Sequence, residues 1–184
     1  MLKKRDFTDC YPLYELMTHP DVFPFVRHKV QSYEEYVFVT KTTLEEEDQG
    51  KLISRTITDE WDMPIGTISL FDIEDNAGFL GTWLGKEFHG KGYNSVAKEA
   101  FFNELFFDLG IETVYMRIRK TNKRSLHAAE KLPYSVQANE SRRYIYDQLN
   151  EKEEIYDLYE ISKDLYTLYL LRKDDEAGEQ LLEA

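Results

Sequence analysis

Phe88-His89-Gly90-Lys91-Gly92-Tyr93-Asn94 separates an apolar stretch, Ala77-Gly78-Phe79-Leu80-Gly81-Thr82-Trp83-Leu84, from an amphipathic one that opens Ser95-Val96-Ala97-Lys98-Glu99-Ala100-Phe101-Phe102. Glycines at alternate positions, feeding a helix N-terminus, make a seat for phosphate. Without a Cβ the backbone can approach an anion closely and aim its free N–H groups at it. The helix dipole and Lys91 add positive charge at the same point. The expected unit is a strand, a phosphate loop and a helix, in that order.

Working outward, Ile65-Gly66-Thr67-Ile68-Ser69-Leu70-Phe71-Asp72-Ile73 and Leu52–Thr58 read as two more strands, and the turn Glu74-Asp75-Asn76-Ala77-Gly78 makes an antiparallel meander of them with 79–84. Upstream, 6–19 reads as a helix ended by His19-Pro20-Asp21. Ser32-Tyr33-Glu34-Glu35 resembles the capping-box start of a second helix. Downstream, Ala97, Phe101 and Leu105 share one face of a helix that runs to about Leu109, with Gly110 as its stop. Thr113–Arg119 reads as a strand, Asn122–Leu132 as a short helix, and Tyr134-Ser135-Val136 as the start of another strand. Segment 139–163 is charged and Tyr-rich, with helical character at 151–160. Leu165–Leu171 reads as the last strand and 173–184 as a polar, frayed tail. Helices alternate with strands around a mixed, mainly antiparallel sheet: an α/β (α+β) layout in a single domain over 1–184.

Bulk properties narrow the function. Hydrophobic residues make up 42% of the 184 positions, enough for a globular core. The single Cys10 excludes an internal disulfide and a multi-cysteine metal site, and no metal is expected. No apolar run reaches the roughly 18 residues of a membrane span, and no leader-like apolar segment follows the N-terminal charges. A soluble, cytoplasmic protein is expected, with no membrane partner. The net charge of −12 argues against nucleic acid and suits a cationic ligand such as an amine. The many aromatic residues could also serve a homodimer contact.

Three phosphate-binding patterns compete for the loop. Gly85-Lys86-Glu87-Phe88-His89-Gly90-Lys91 fits G-x-x-x-x-G-K, but Gly92 stands where a P-loop needs the Mg²⁺-binding Ser or Thr. A dinucleotide fingerprint lacks its third glycine, because Gly90-Lys91-Gly92 is followed by Tyr93, Asn94 and Ser95. The third pattern is an acyl-CoA pyrophosphate loop, Gln/Arg-x-x-Gly-x-Gly/Ala, which the chain approaches with His89 and Asn94 as its departures. Asn122-Lys123-Arg124-Ser125, leading to Glu130-Lys131-Leu132, is a second matching segment. His19-Pro20-Asp21-Val22 is a third, and Gly66–Leu70 and Gly81–Leu84 fall in register between them. In these motifs the chain resembles the GNAT-superfamily N-acetyltransferases of the RimJ/RimL-like branch over roughly residues 5–134.

That resemblance implies the GNAT acyl-CoA N-acyltransferase fold. It also implies acetyl transfer from acetyl-CoA to a primary amine by direct attack in a ternary complex, with CoA as product. The acceptor would be a small-molecule amine or a protein N-terminus. His89, Gly90, Lys91, Gly92, Tyr93 and Asn94 would hold the pyrophosphate. The backbone of Trp83 and Leu84 would follow the pantetheine arm, with an N–H near Leu84 polarising the thioester carbonyl. Asn122 would hydrogen-bond the cofactor and Ser125 would protonate the leaving thiolate. Read locally, the same two residues are an N-cap and a first-turn serine. An α-amine of pKa roughly 7.7–8.0 needs little help to lose its proton, whereas a lysine-like amine near 10.4 needs a base or a desolvating pocket. Asp72, Glu74, Glu87 and His89 are the candidate bases, with Glu74 the expected catalytic one beside Ser125 and Asn122. His127 and Tyr134 are secondary candidates near the short helix. A non-catalytic acetyl-CoA sensor with this fold is the alternative class.

Overall fold

Asp75 and Asn76 take φ of 48° and 59°. Two consecutive left-handed residues form the tight turn whose twist suits a hairpin, and Asp and Asn tolerate that region. The chain therefore reverses between strands β3 (Pro64–Glu74) and β4 (Ala77–Leu84), which pair antiparallel from Glu74↔Ala77 down to Gly66↔Leu84. The register shifts between Phe71 and Glu74, where Asp72 also has a positive φ of 53°. Strand β2 (Ile53–Thr58) pairs antiparallel with β3, and β1 (Leu2–Lys4) adds to the outside of β2. The Met1 ammonium donates to the Thr58 carbonyl at 2.6 Å, which fastens that short edge strand.

The computed structural model describes residues 1–153 and 155–182, and these form two units divided after Gly110. In the first unit, helix α1 (Cys10–Met17) and helix α2 (Tyr33–Asp48) bury Cys10, Leu13, Met17 and Tyr36 in one cluster. The connector between them adds Val22, Val26 and Val30, and Trp83 of β4 packs on the same cluster. Ser32 caps α2 by accepting the Glu35 N–H, while the Glu35 carboxylate accepts the Gln31 N–H, a capping box displaced by one residue. Helix α3 (Tyr93–Asn103) continues into a π turn at 104–108, and Gly110 (φ 72°) ends it, close to the expected stop. Arg55 of β2, 5% exposed, meets Glu104 through two nitrogens and Glu47 at 2.6 Å.

The second unit holds β5 (Thr113–Arg119), α4 (Lys123–Glu130), β6 (Val136–Gln137), α5 (Arg143–Leu149), β7 (Tyr156–Ser162) and α6 (Lys163–Leu182). Both β5 and β6 pair antiparallel with β7. Here the sequence expectations need correction. The last strand is 156–162, not 165–171, and the helical character expected over 151–160 gives way to β7. Asp157 and Glu160 disguise that strand as a solvated segment, yet Asn139 donates to Asp157 at 3.0 Å and Arg142 grips Glu160 at 2.7 and 2.8 Å. Asn150 completes the inserted segment by bonding the backbone of Tyr146, Ile155 and Tyr156.

The apolar run 165–171 belongs to α6, begun by the Ser162 hydroxyl accepting the Leu165 N–H at 3.3 Å. Tyr166 is fully buried while Leu168 is 52% exposed, a helical rather than an alternating pattern. The tail expected to fray continues α6 to Leu182; its residues 183–184 lie outside the described residues.

Gly66 is the tightest point of the hairpin, since a Cβ there would stand 2.2 Å from the Trp83 carbonyl oxygen. Gly66→Ala is expected to lower stability by about 2–3 kcal/mol. Urea denaturation checks this, and an unchanged midpoint would mean the strand ends move apart freely.

Candidate functional site

Strand β4 ends at Leu84. Gly85 donates to the Ile65 carbonyl at 2.8 Å, and a single 3₁₀ turn at 86–88 carries the chain out of the sheet. Gly90 and Gly92 have φ of 75° and 88°, and a Cβ at either would meet nothing within 4 Å. The glycines serve conformation and leave open space outside the loop. Gly92 caps α3 through its carbonyl, which accepts from the Ser95 and Val96 N–H groups. Among the described residues, the backbone N–H groups of 90, 91, 92, 93 and 94 bond to no other group. A run of unanswered amides at the positive end of a helix is an anion seat.

Side chains brace this loop. The Tyr93 hydroxyl donates to Glu60 at 2.5 Å, which holds the tyrosine pKa up, and the Tyr93 ring meets Phe88 edge-on at 5.9 Å. Glu60 itself sits on a turn organised by Asp59, whose carboxylate accepts the N–H groups of Trp61 and Met63. The Thr82 hydroxyl donates to Asn94 Oδ1 at 3.4 Å. Lys86 pairs with Asp21 at 2.8 Å, which holds the Asp21 carboxyl below its usual value. The Lys91 ammonium lies 5.8 Å from the Phe88 ring centre on an exposed side chain. His89 turns inward: its Nε2 lies 3.0 Å from the Leu84 carbonyl oxygen, while its buried Nδ1 has no partner. The imidazole thus tethers the loop to the end of β4.

The candidate bases separate. Asp72 accepts two bonds from Arg27 at 3.0 and 3.1 Å, and that guanidinium stacks 4.2 Å over Phe71, so the carboxylate is engaged. Glu74 is exposed at the turn end of the hairpin. The length of β4, about 23 Å at roughly 3.3 Å per residue, separates that end from Leu84, so Glu74 is not brought to the loop. Glu87 is exposed on the 3₁₀ turn.

In the second unit, Asn122 Oδ1 accepts the Ser125 N–H at 3.2 Å, so Asn122 is the N-cap of α4. Its Nδ2 and the Ser125 hydroxyl bond to no other group among the described residues. His127 is exposed and 3.9 Å from Glu130. Tyr134 is buried against Tyr166 and Tyr169, with ring centres at 5.0 and 4.9 Å. Among the described residues, no helix is long and apolar enough to cross a membrane.

Residues 2–135 match the family model of the acetyltransferase (GNAT) domain. No curated protein matches the chain. Among solved structures, spermidine N-acetyltransferase from Vibrio cholerae in complex with CoA and spermine is 15% identical, with a TM-score of 0.72 over 91% of this chain and 97% of that one. Apo FdhC, described as a nucleotide-linked sugar GNAT, is 16% identical, with a TM-score of 0.74 over 94% and 92%. At these identities the likeness is one of fold, and it agrees with the α/β layout of mainly antiparallel strands flanked by helices.

The Asn122 cap has a measurable share in stability. Asn122→Ala is expected to cost about 1 kcal/mol and Asn122→Ser to restore most of it. Thermal denaturation of the two variants checks this; equal losses would deny the cap.

Proposed function

The chain belongs to the GNAT acetyltransferases, whose acyl donor is acetyl-CoA, and we propose that its acceptor is the primary amine of a small cationic molecule, attacked directly in a ternary complex. The five unanswered amides of residues 90–94 carry the donor half of this reading. They offer donors to a pyrophosphate without displacing any internal bond, and the space outside Gly90 and Gly92 is open for it. The acceptor half is supported by the net charge of −12, which favours cations at long range, and by structural neighbours that are spermidine N-acetyltransferases. A protein N-terminus is the other acceptor the motifs allow. The RimJ/RimL-like placement, the single domain over 1–184, a cytoplasmic location and a homodimer belong to the same proposal; the family match runs across both units.

Acetyl-CoA supplies an activated acetyl thioester. The chain's part is to bind, orient and move protons. His89 holds the loop on β4, the amides of Gly90, Lys91, Gly92, Tyr93 and Asn94 are left to donate, and Lys91 adds charge. The backbone of Trp83 and Leu84 is the rail for the pantetheine arm. Asn122 caps α4 with its oxygen and keeps Nδ2 to donate to the cofactor, so the cap and the binding role do not exclude each other. Ser125 carries the proton for the departing thiolate. Neither Glu74 nor Asp72 is given the proton of the amine: the length of β4 holds Glu74 away from Leu84, and Asp72 is held by Arg27.

Gly92→Glu is expected to weaken acetyl-CoA binding by roughly a hundredfold or more, since a carboxylate would enter the anion seat. Calorimetric titration with acetyl-CoA, CoA and Mg-ATP checks the loop assignment; affinity within a few-fold of wild type would place the ligand elsewhere. Ser125→Ala is expected to lower kcat by roughly a hundredfold while the CoA dissociation constant stays within a few-fold. Thiol release measured against an amine panel reads this, and full turnover in the variant would remove Ser125 from the proton path.

A further inference from the structure

Lys98 is a charge without a partner. It lies on α3 in line with Asn94 and with Phe102, which is fully buried, and its own side chain is half-buried. Among the described residues it makes no hydrogen bond and no ion pair. The elements packed on α3 carry charges, and none of them is paired with Lys98. Lys3 of β1 pairs with Asp9, and Lys4 is exposed. Asp72 of β3 is held by Arg27, with Glu74 beside it at the turn end. Glu104 of the π turn is held by Arg55, and Asp108 follows it as an exposed group. Burial pushes the Lys98 pKa down, and no charged group contributes to that shift. An ammonium withdrawn from water with no counter-ion is an unfavourable arrangement. The positive end of the helix dipole, toward which helical side chains lean, makes it worse. An anion arriving at that end of α3 would relieve it without loss of the ammonium proton.

We propose that Lys98 is the counter-charge for a phosphate group of the ligand seated at residues 88–94, an inference that rests on the acetyl-CoA reading above. A side chain leaning back from position 98 covers the turn that begins at Asn94, whose amide is the last of the unanswered five. Lys86 is tied to Asp21 and Lys91 lies over the Phe88 ring, so Lys98 is the lysine of this helix and loop left with no internal partner. In the free protein a fraction of Lys98 is neutral at alkaline pH. A ligand phosphate favours the charged form, so binding takes up protons there. The sign is fixed: the folded, ligand-bound pKa lies above the free one, and affinity falls as pH rises through the free value toward the ordinary lysine value of about 10.4.

The test is calorimetric titration of CoA at a series of pH values from roughly 8.5 up to the ordinary lysine value of about 10.4, where phosphate groups of second pKa about 6 are already fully ionised. It is run in two buffers of different ionisation enthalpy, on wild type, Lys98→Met and Lys98→Arg. S-acetylpantetheine, which carries no phosphate, is titrated in parallel. Wild type is expected to take up protons on binding CoA. Lys98→Met should bind CoA roughly tenfold more weakly without proton uptake, and should bind S-acetylpantetheine as wild type does. Lys98→Arg should keep most of the CoA affinity and lose the proton uptake, because arginine does not titrate in this range. Lys98→Met should also melt no lower than wild type in the absence of ligand, since it relieves a desolvated charge. Undiminished CoA affinity in Lys98→Met, or proton uptake that survives it, would overturn the proposal. A wild type that binds no CoA at all would instead overturn the acetyl-CoA reading on which it rests.

Discussion

Arg55 is the constraint on which the first unit turns. Its guanidinium is withdrawn from water inside β2, and its donors are answered by Glu104, Glu47 and the Ser54 carbonyl. A buried guanidinium is tolerable only when its charge and its donors are both met. Because Glu47 stands in the last turn of α2 and Glu104 opens the π turn after α3, the one cation fixes the ends of two helices against the strand. The π turn begins at that glutamate. It adds a residue to the helical turn, so Glu104 can reach Arg55 while Leu105 and Phe106 stay fully buried. With its C-terminal end fixed in register, α3 cannot slide, and its N-terminal amides are left facing outward at the glycine loop.

What was legible in the sequence was local. The glycine loop at 90–92, the Asp75-Asn76 turn, the Ser32 cap and the stop at Gly110 each depend on residues within a few positions, so the pattern suffices to read them; that Gly90 and Gly92 are left-handed was added by the structure. Strand β1 was not legible. Its three residues carry no strand signature, and the residues they pair with, Arg55 to Ile57, lie far along the chain. Strand β7 was concealed by Asp157 and Glu160, whose partners Asn139 and Arg142 lie in a segment with no periodic signal of its own. The opposite error fell on 165–171, where a short apolar run fits either period. The hydroxyl of Ser162, a helix cap in plain view, was the cue that could have settled it. At the site, the loop and the cap at Asn122 could be read directly. The inward turn of His89 onto the Leu84 carbonyl could not, because it depends on where β4 ends in space.

The charge of the molecule sets two requirements against each other. On the acetyl-CoA reading, a chain of net charge −12 must attract a strongly anionic donor and a cationic acceptor at once. Its long-range field serves the acceptor and opposes the donor, although screening limits both beyond about 8 Å at physiological salt. The donor's affinity must therefore come from groups that act at contact, and the loop is built from such groups. Backbone amides carry no net charge and are fixed by the fold, so they add to an anion's binding without drawing in the counter-ions that a lysine cluster would collect. Two of the three lysines nearby conform to this division, the exposed Lys91 being the exception. Lys86 is neutralised by Asp21, and Lys98 is half-buried, where its charge contributes little to the outer field and is felt by a ligand in contact with it. An acidic surface and an anion seat can then coexist, because they operate at different distances.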